Sequence, residues 1–319
     1  MTLSNLRHVY GPVPSRRLGR SLGLDLVPYK TCTYDCIYCQ LGRTTHLTLE
    51  QDTYVPVDAI LEECFQVLAK GDKPDVISLA GSGEPTLNRA IGDIIRAIKD
   101  RTAIPVAVLT NGALLWHPDV QAALLAADLV MPSLDAGDAA AFQRVNRPHP
   151  DLAYETMVDG LAAFTRRFAG KVWLEVLLVE GITGTREEVA KIAAQAERIQ
   201  PDRIQLNTVC RPPAEVAARP LAPEDMRRLA DIFKGPVDII GRAVSGPASG
   251  MPGDESLQAA IRAMIARRPC TAPDVARGLG VHINEVLKHL EALTADRQLD
   301  KVVRDQQTYF IPPARKGRP

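Results

Sequence analysis

The sequence predicts a parallel α/β protein with a small second domain behind it. Three observations carry this. Strand-like and helix-like runs alternate six times within residues 1–242. The residues able to do chemistry sit just after the strand-like runs. A Gly, Pro and Ser-rich stretch, 243–256, then separates this block from a compact piece, 257–319, with a different pattern. Strands alternating with helices imply a parallel sheet with right-handed crossovers. Six such units suit an open doubly wound sheet or a partial barrel. In both, chemistry gathers at the carboxyl ends of the strands.

The first strand is SLGLDLVP, 21–28, and a cysteine-bearing stretch follows it directly. VDAILEECFQVLAKG, 57–71, spaces apolar residues helically and stops on Gly71. DVISLAG (75–81) is a short apolar strand and RAIGDIIRAIKD (89–100) a helix. PVAVLTNG (105–112) and DVQAALLAAD (119–128) repeat the pair, as do LVMPSLDAG (129–137) and YETMVDGLAAFTRRF (154–168). KVWLEVLLVEG (171–181) is followed by REEVAKIAAQAERI (186–199), and RIQLNTVC (203–210) by APEDMRRLADIF (222–233). After the linker come a helix (257–269), a short helix closed by glycine (271–280), a longer helix (282–299) and two short strands (300–313). That order is the pattern of a winged helix-turn-helix domain.

At 319 residues the chain accommodates one large domain and one small one, and 46% hydrophobic residues supply a core. Basic and acidic residues balance at 38 each, so no global field recruits nucleic acid or membrane. No run approaches the ~20 apolar residues of a membrane span. The beginning of the chain shows no signal-peptide pattern. Cysteine is sparse, at six. The expectation is a cytoplasmic protein, in which clustered thiols are ligands or catalysts rather than disulfides.

Three of the six cysteines lie within KTCTYDCIYCQ (30–40), at Cys32, Cys36 and Cys39. As disulfides, one is always left over. A closed zinc site takes four ligands, and the nearest further candidate is His46. A CxxC redox pair is present but embedded in the longer motif. Three soft thiolates at this spacing suit an iron–sulfur cluster with one iron left free. Zinc and the redox pair stay open on spacing alone.

CTYDCIYC (32–39) resembles the CxxxCxΦC motif of radical S-adenosylmethionine (SAM) enzymes, with Tyr38 as the aromatic residue. AGSGEPTL (80–87) resembles their second signature, a glycine-rich acidic loop after the second strand. The resemblance covers roughly residues 10–240, and the cysteine stretch looks most like the wyosine-base-forming type. It implies a partial (β/α)6 TIM-like barrel and a [4Fe-4S] cluster on Cys32, Cys36 and Cys39. It also implies SAM chelated at the free iron, and an external one-electron donor of flavodoxin or ferredoxin type. The reaction implied is an oxidoreductase-type one: reductive SAM cleavage, then hydrogen abstraction from a substrate such as a tRNA base or another anionic molecule. No second cysteine group or cobalamin-binding domain accompanies the motif.

On the same resemblance Gly81, Ser82, Gly83 and Glu84 hold the methionine part of SAM. Asn111, in TNG, is a candidate for its carboxylate or a turn residue before Gly112. Ser133 and Asp135 suit ribose hydroxyls, or a helix N-cap. Glu175, Gln205 and Asn207 break apolar strands and face either the barrel interior or covering helices. Arg16 and Arg17, with Arg20 nearby, are candidates to bind an anionic substrate or to form structural ion pairs. Cys64 and Cys270 are expected to pack, and Cys210 to pack or to offer a thiol near the substrate. The winged domain has nucleic acid or a protein as its expected partner. His282, Asn284, Lys288 and His289 lie on its third helix among Glu285 and Glu291, with the basic tail ARKGRP behind. An alternative reading is an iron–sulfur redox-sensing transcriptional regulator that uses this domain.

Overall fold

The structure, a computed structural model, describes residues 8–71, 73–240, 254–279, 281, 283–304 and 307–313. Residues 243–253 of the expected linker, His282 and the ARKGRP tail lie outside the described residues.

The chain opens with β1 (Val9–Ser15) and β2 (Gly19–Asp25), an antiparallel pair. A cysteine-bearing loop follows, framed by two short strands, β3 (Thr31–Cys32) and β4 (His46–Leu47). Then come α1 (Val57–Ala69), β5 (Val76–Ala80), α2 (Ile91–Arg101), β6 (Val106–Thr110), α3 (Pro118–Leu124), β7 (Leu129–Pro132), α4 (Ala139–Val145) and α5 (Tyr154–Arg167). β8 (Lys171–Leu178), α6 (Arg186–Ile199), β9 (Arg203–Thr208), α7 (Pro223–Ala230) and β10 (Val237–Ile239) complete the sheet. Its order is β1-β2-β5-β6-β7-β8-β9-β10. Every neighbouring pair after the first is parallel.

Period-two alternation makes the two faces of this sheet unlike. On β8, Val172, Leu174, Val176 and Leu178 are buried against the helices. Trp173, Glu175 and Leu177 are half-buried on the inner face. Leu22 and Leu24 on β2, and Ile204 and Leu206 on β9, join the helix-facing core. Elsewhere the inner face carries small or polar residues: Ser21 and Ser78 share a hydrogen bond of 2.7 Å, and Gln205 and Asn207 follow on β9. A sheet covered on both faces by helices reads as continuous apolar strands. Here the inner face keeps its polar groups for other use.

Six parallel strand–helix units are where the sequence expects them. The sheet adds β1 and β10 at its edges. The β1 segment VYGPVPS reads as loop because of its prolines, which an edge strand tolerates. β10 has only three residues. The strand expected over 129–137 ends at Pro132, and 133–137 leave the sheet. α4, which the sequence reading left out, starts under an Asp138 cap on the Ala141 amide at 2.8 Å.

After the sheet come α8 (Asp254–Arg267), α9 (Ala272–Leu279), α10 (Ile283–Ala295) and the hairpin β11 (Asp300–Arg304) and β12 (Gln307–Ile311). Their core is separate and includes Ile261, Ile265, Val275, Val286, Leu290 and Phe310. This unit docks on the sheet domain in two places. The Arg267 guanidinium lies 4.2 Å from the Tyr10 ring centre on β1 and 3.5 Å from Asp25. The Tyr309 hydroxyl donates to the Cys210 carbonyl at 3.0 Å, and Arg304 to the carbonyls of Val216 and Ala218. Among the described residues no helix is long and apolar enough to cross a membrane.

Candidate functional site

The cysteine loop crosses the carboxyl ends of the strands and is fastened by main-chain bonds to its neighbours. Lys30 N–H donates to the Ser82 carbonyl at 2.7 Å, and Glu84 N–H to the Thr31 carbonyl at 3.1 Å. Asp35 and Ile37 donate to Asn146 and Val145 at the end of α4. Tyr34 packs edge-on against Phe142, ring centres 5.3 Å apart. Ile37 is buried with Val145, Val179, Val209 and Ala218 in a small satellite core. The loop is therefore held from below and from both sides.

Cys32, Cys36 and Cys39 are half-buried and unbonded to one another. Burial pushes the Cys32 thiol up to about 12, helped by the nearby Glu84 charge. Burial also raises Cys36 far above its ordinary value, with Cys39 and Asp135 adding to it. The thiols thus lie within electrostatic range of one another. Among the described residues no three His, Cys, Asp or Glu side chains converge tightly enough for one metal ion. His46 accordingly supplies no fourth zinc ligand. Three half-buried thiols on one short loop, close enough to influence one another, match the donor set of a cluster, which takes one sulfur per iron.

Glycine at 83 answers a close approach. A Cβ there would lie 1.9 Å from the Thr31 carbonyl oxygen. At Gly81, with φ +127°, it would meet the Asp25 carboxyl at 2.6 Å. Both glycines therefore let the loop close on the protein itself. Ser82 is spent likewise: its amide and hydroxyl donate to Asp25. Burial pushes Asp25 up, opposed by Ser82 and by Arg267.

Glu84 is 1% exposed. Its Oε1 accepts from the Thr86 amide at 3.0 Å, the Thr86 hydroxyl at 2.6 Å and the Thr110 hydroxyl at 2.6 Å; its Oε2 accepts from the Asn111 amide at 2.7 Å. Burial still raises its carboxyl above the ordinary value. In the structure this carboxylate, expected from sequence to hold the methionine ammonium, ties the end of β5 to the end of β6. Asn111 is also engaged. Its side-chain amide donates to Thr33 Oγ1 at 2.7 Å and approaches Cys32 Sγ at 3.5 Å, while Oδ1 accepts from Ala113 N–H. Gly112, with φ +81°, takes the left-handed turn position that the sequence left open for Asn111.

Asp135 is 3% exposed and accepts from the Tyr38 hydroxyl, from Asn146 at 2.9 Å and from the Leu177 amide at 2.8 Å. Burial lifts it to about 6 against these bonds. Asp135, a sequence candidate for the ribose hydroxyls, links the cysteine loop, α4 and β8. Ser133 is half-buried at the top of β7, bridged to Glu175.

Inside the barrel Arg17 pairs with Glu175, whose Oε1 also accepts from Asn207 at 3.1 Å. Burial would raise the Glu175 carboxyl, but Arg17 and Asn207 hold it below its ordinary value. Arg17 thus meets a carboxylate of its own chain, with Arg16 in the same tight β1–β2 turn. Gln205 is 2% exposed, and its Oε1 has no partner among the described residues. It is a buried acceptor on the inner face that fits a ligand's hydroxyl or ammonium group.

Cys64 and Cys270 are fully buried, as expected of packing thiols. Cys210 sits at the seam, its Sγ 4.0 Å from the neighbouring Arg211 guanidinium. Arg211 also donates to Gln40, beside Cys39, at 3.3 Å. The sequence reading missed Lys30, Asn146, Asp25 and Arg211. Lys30 adjoins the motif, and its proximity was the available signal. The others come from distant segments that only folding assembles.

The sequence model of the Radical SAM superfamily matches residues 26–195, more than half of the chain. The chain is 41% identical over 246 residues to the GTPase Obg of Brachyspira hyodysenteriae, covering 76% of this chain but 36% of that protein. It is 33% identical over 307 residues to a UPF0026 protein of Helicobacter pylori, covering 94% and 96% of the two chains. A radical SAM methyltransferase from Sphaerobacter thermophilus shares the fold with a TM-score of 0.56 at 16% identity. That match covers 69% of this chain and 65% of the other.

Proposed function

The chain belongs to the radical SAM superfamily, and from that premise we propose that it is an enzyme holding a [4Fe-4S] cluster on Cys32, Cys36 and Cys39 and binding SAM beside it. The observation that carries the reading is the cysteine loop itself: three half-buried thiols on one short loop, fastened to the glycine-rich loop at Lys30 and Glu84. When bound, the cluster supplies the electron that splits SAM into methionine and a 5'-deoxyadenosyl radical able to take a hydrogen atom from a substrate.

The chain's own residues do the rest. The Gly81–Glu84 backbone lies against the cysteine loop, where its carbonyls can meet the methionine part of SAM. Glu84 acts as a brace, fixing the Asn111 loop. Tyr38 and Asp135 fix the far side. Gln205, Asn207 and Ser133 line the inner face, where SAM and substrate are held away from water. With Arg17 neutralised by Glu175, Arg16 in the same turn lends a positive charge, and Arg211 lends another at the seam. Both favour an anionic substrate. A tRNA base on a polyanionic strand is one such substrate, following the wyosine-type motif. The electron comes from an external flavodoxin or ferredoxin-like donor.

We read the C-terminal unit as a winged helix whose main service is to cover the barrel. His289, expected to face nucleic acid, is 6% exposed, and Lys288 is 3.2 Å from Glu285. That leaves α10 a poor phosphate-binding face. The comparisons lend no support to the regulator reading.

The test is anaerobic. Protein reconstituted with iron and sulfide, reduced with dithionite and given SAM is expected to release 5'-deoxyadenosine and methionine, seen by mass spectrometry. Cys32→Ala, Cys36→Ala and Cys39→Ala should each abolish cluster assembly. Full iron content in any of them would sink the ligand assignment.

A further inference from the structure

Each of the three sulfurs receives one side-chain nitrogen, and each nitrogen comes from a different part of the chain. Lys30 Nζ lies 3.2 Å from Cys39 Sγ. Asn111 Nδ2 lies 3.5 Å from Cys32 Sγ, and Asn146 Nδ2 lies 3.5 Å from Cys36 Sγ. Resting on the reading of those cysteines as cluster ligands, we propose that Lys30, Asn111 and Asn146 are a donor set, one per sulfur, that raises the reduction potential of the cluster.

Each donor is held in place by other groups. Asn111 is fixed by Thr33 and Ala113, at the end of β6. Asn146 is fixed by Asp135 and lies just past α4. Lys30 is the most constrained. Its φ is +61°, a left-handed conformation that a side chain with a Cβ adopts only under constraint. Its N–H is bonded to Ser82, and its carbonyl accepts from Thr45 and His46. Its side chain is 3% exposed, and no carboxylate among the described residues pairs with it. A buried ammonium is costly without an anionic partner. The Cys39 sulfur, a thiolate when it ligates iron, is that partner. The left-handed turn that directs Lys30 inward therefore has an electrostatic purpose.

The physics follows from charge. One-electron reduction adds negative charge to a cluster and its thiolates. N–H donors and an ammonium at the sulfurs stabilise the added charge, and hydrogen bonds to sulfur are among the levers that set cluster potentials. Removing a donor makes reduction harder and the midpoint more negative. Lys30, with a full charge and the shortest contact, should matter most. These are positioning residues acting through the sulfurs, so activity alone does not test them.

The experiment is an anaerobic potentiometric titration of reconstituted full-length protein, read by electron paramagnetic resonance, with iron and sulfide counted per chain. Lys30→Met should keep full iron and sulfide and lower the midpoint. A tenfold loss of reduced over oxidised cluster at a fixed poise corresponds to about 59 mV for one electron. Asn146→Ala should lower it less. Lys30→Arg should restore the wild-type value. An unchanged midpoint in Lys30→Met with full iron overturns the proposal. If Lys30→Met assembles no cluster, Lys30→Gln, which keeps an N–H donor without the charge, is titrated in its place. It should then fall below wild type, and a midpoint equal to wild type is again fatal. Failure of the underlying ligand reading looks different: Cys39→Ala would then retain full iron.

Discussion

Asp135 is a carboxylate withdrawn from water and surrounded by donors, and burial outweighs them. Its value rises from near 4 in an unfolded chain to about 6. The folded state therefore binds this proton more tightly than the unfolded one. The stability it contributes is fully present below pH ~4 and is lost as pH rises through about 6. The shift is worth roughly 3 kcal/mol. Denaturant titrations of the cluster-free protein should show wild type losing about that much more stability than Asp135→Asn between pH 4 and 7. Parallel pH profiles for the two proteins would refute the argument. Asp135 also shows how one side chain serves several parts of the fold, since Tyr38, Asn146 and the Leu177 amide all end on it.

At the scale of elements, the decisive contact is between two loops. The glycine-rich loop after β5 and the cysteine loop after β2 pack backbone to backbone, leaving no room for a side chain at Gly83. The obstacle to a Cβ is a main-chain carbonyl, which cannot swing aside as a flexible side chain can. Gly83→Ala should cost about 3 kcal/mol of stability, at the upper end of overpacking penalties, measured by urea unfolding of the cluster-free chain. It should also lower iron uptake, because the displaced partner, Thr31, adjoins Cys32. A neutral Gly83→Ala would show that the loops can separate cheaply. Glu84 works at the same scale. Of its four accepted hydrogen bonds, two come from Thr86 in its own loop and two, from Thr110 and Asn111, join β5 to β6, so a residue read from sequence as a ligand holder is also a brace.

For the whole molecule, the C-terminal unit is docked on the sheet domain at two places. Arg267 holds it to Tyr10 and Asp25 at the antiparallel edge. Tyr309 and Arg304 hold it to the segment after β9. Each such hydrogen bond contributes about 1 kcal/mol net. Arg304→Ala combined with Tyr309→Phe removes three such bonds and should therefore speed amide exchange of Glu215 and Ala218 by up to roughly a hundredfold. Exchange within β9 should stay unchanged. Unaltered protection at Glu215 and Ala218 would mean that the docking does not depend on this seam. With Arg211 and Cys210 at the same seam, the unit stands beside Gln40 and the cysteine loop. Its placement thus bears on access to the site.

The sequence by itself determined the six parallel strand–helix units, the cysteine triad and the glycine-rich loop. Each of these is local. Helical or alternating periodicity is written in consecutive residues, and so are ligand spacing and the glycines that a tight approach requires. Tertiary structure alone decided which polar groups meet. Glu84 finds Thr110, Arg17 finds Glu175, and Asp135 gathers Tyr38 from far along the chain and Asn146 from the end of the next helix. A carboxylate withdrawn from water must find donors, and the sequence shows the carboxylate without showing which donor folding brings to it. The edge strands escaped for a related reason. Prolines in β1 and the brevity of β10 erase the local signal, and only pairing with β2 and β9 makes them strands. The nitrogen at each cysteine sulfur is the clearest case: Lys30 is two residues from its motif, but Asn111 and Asn146 arrive through the packing of β6 and α4.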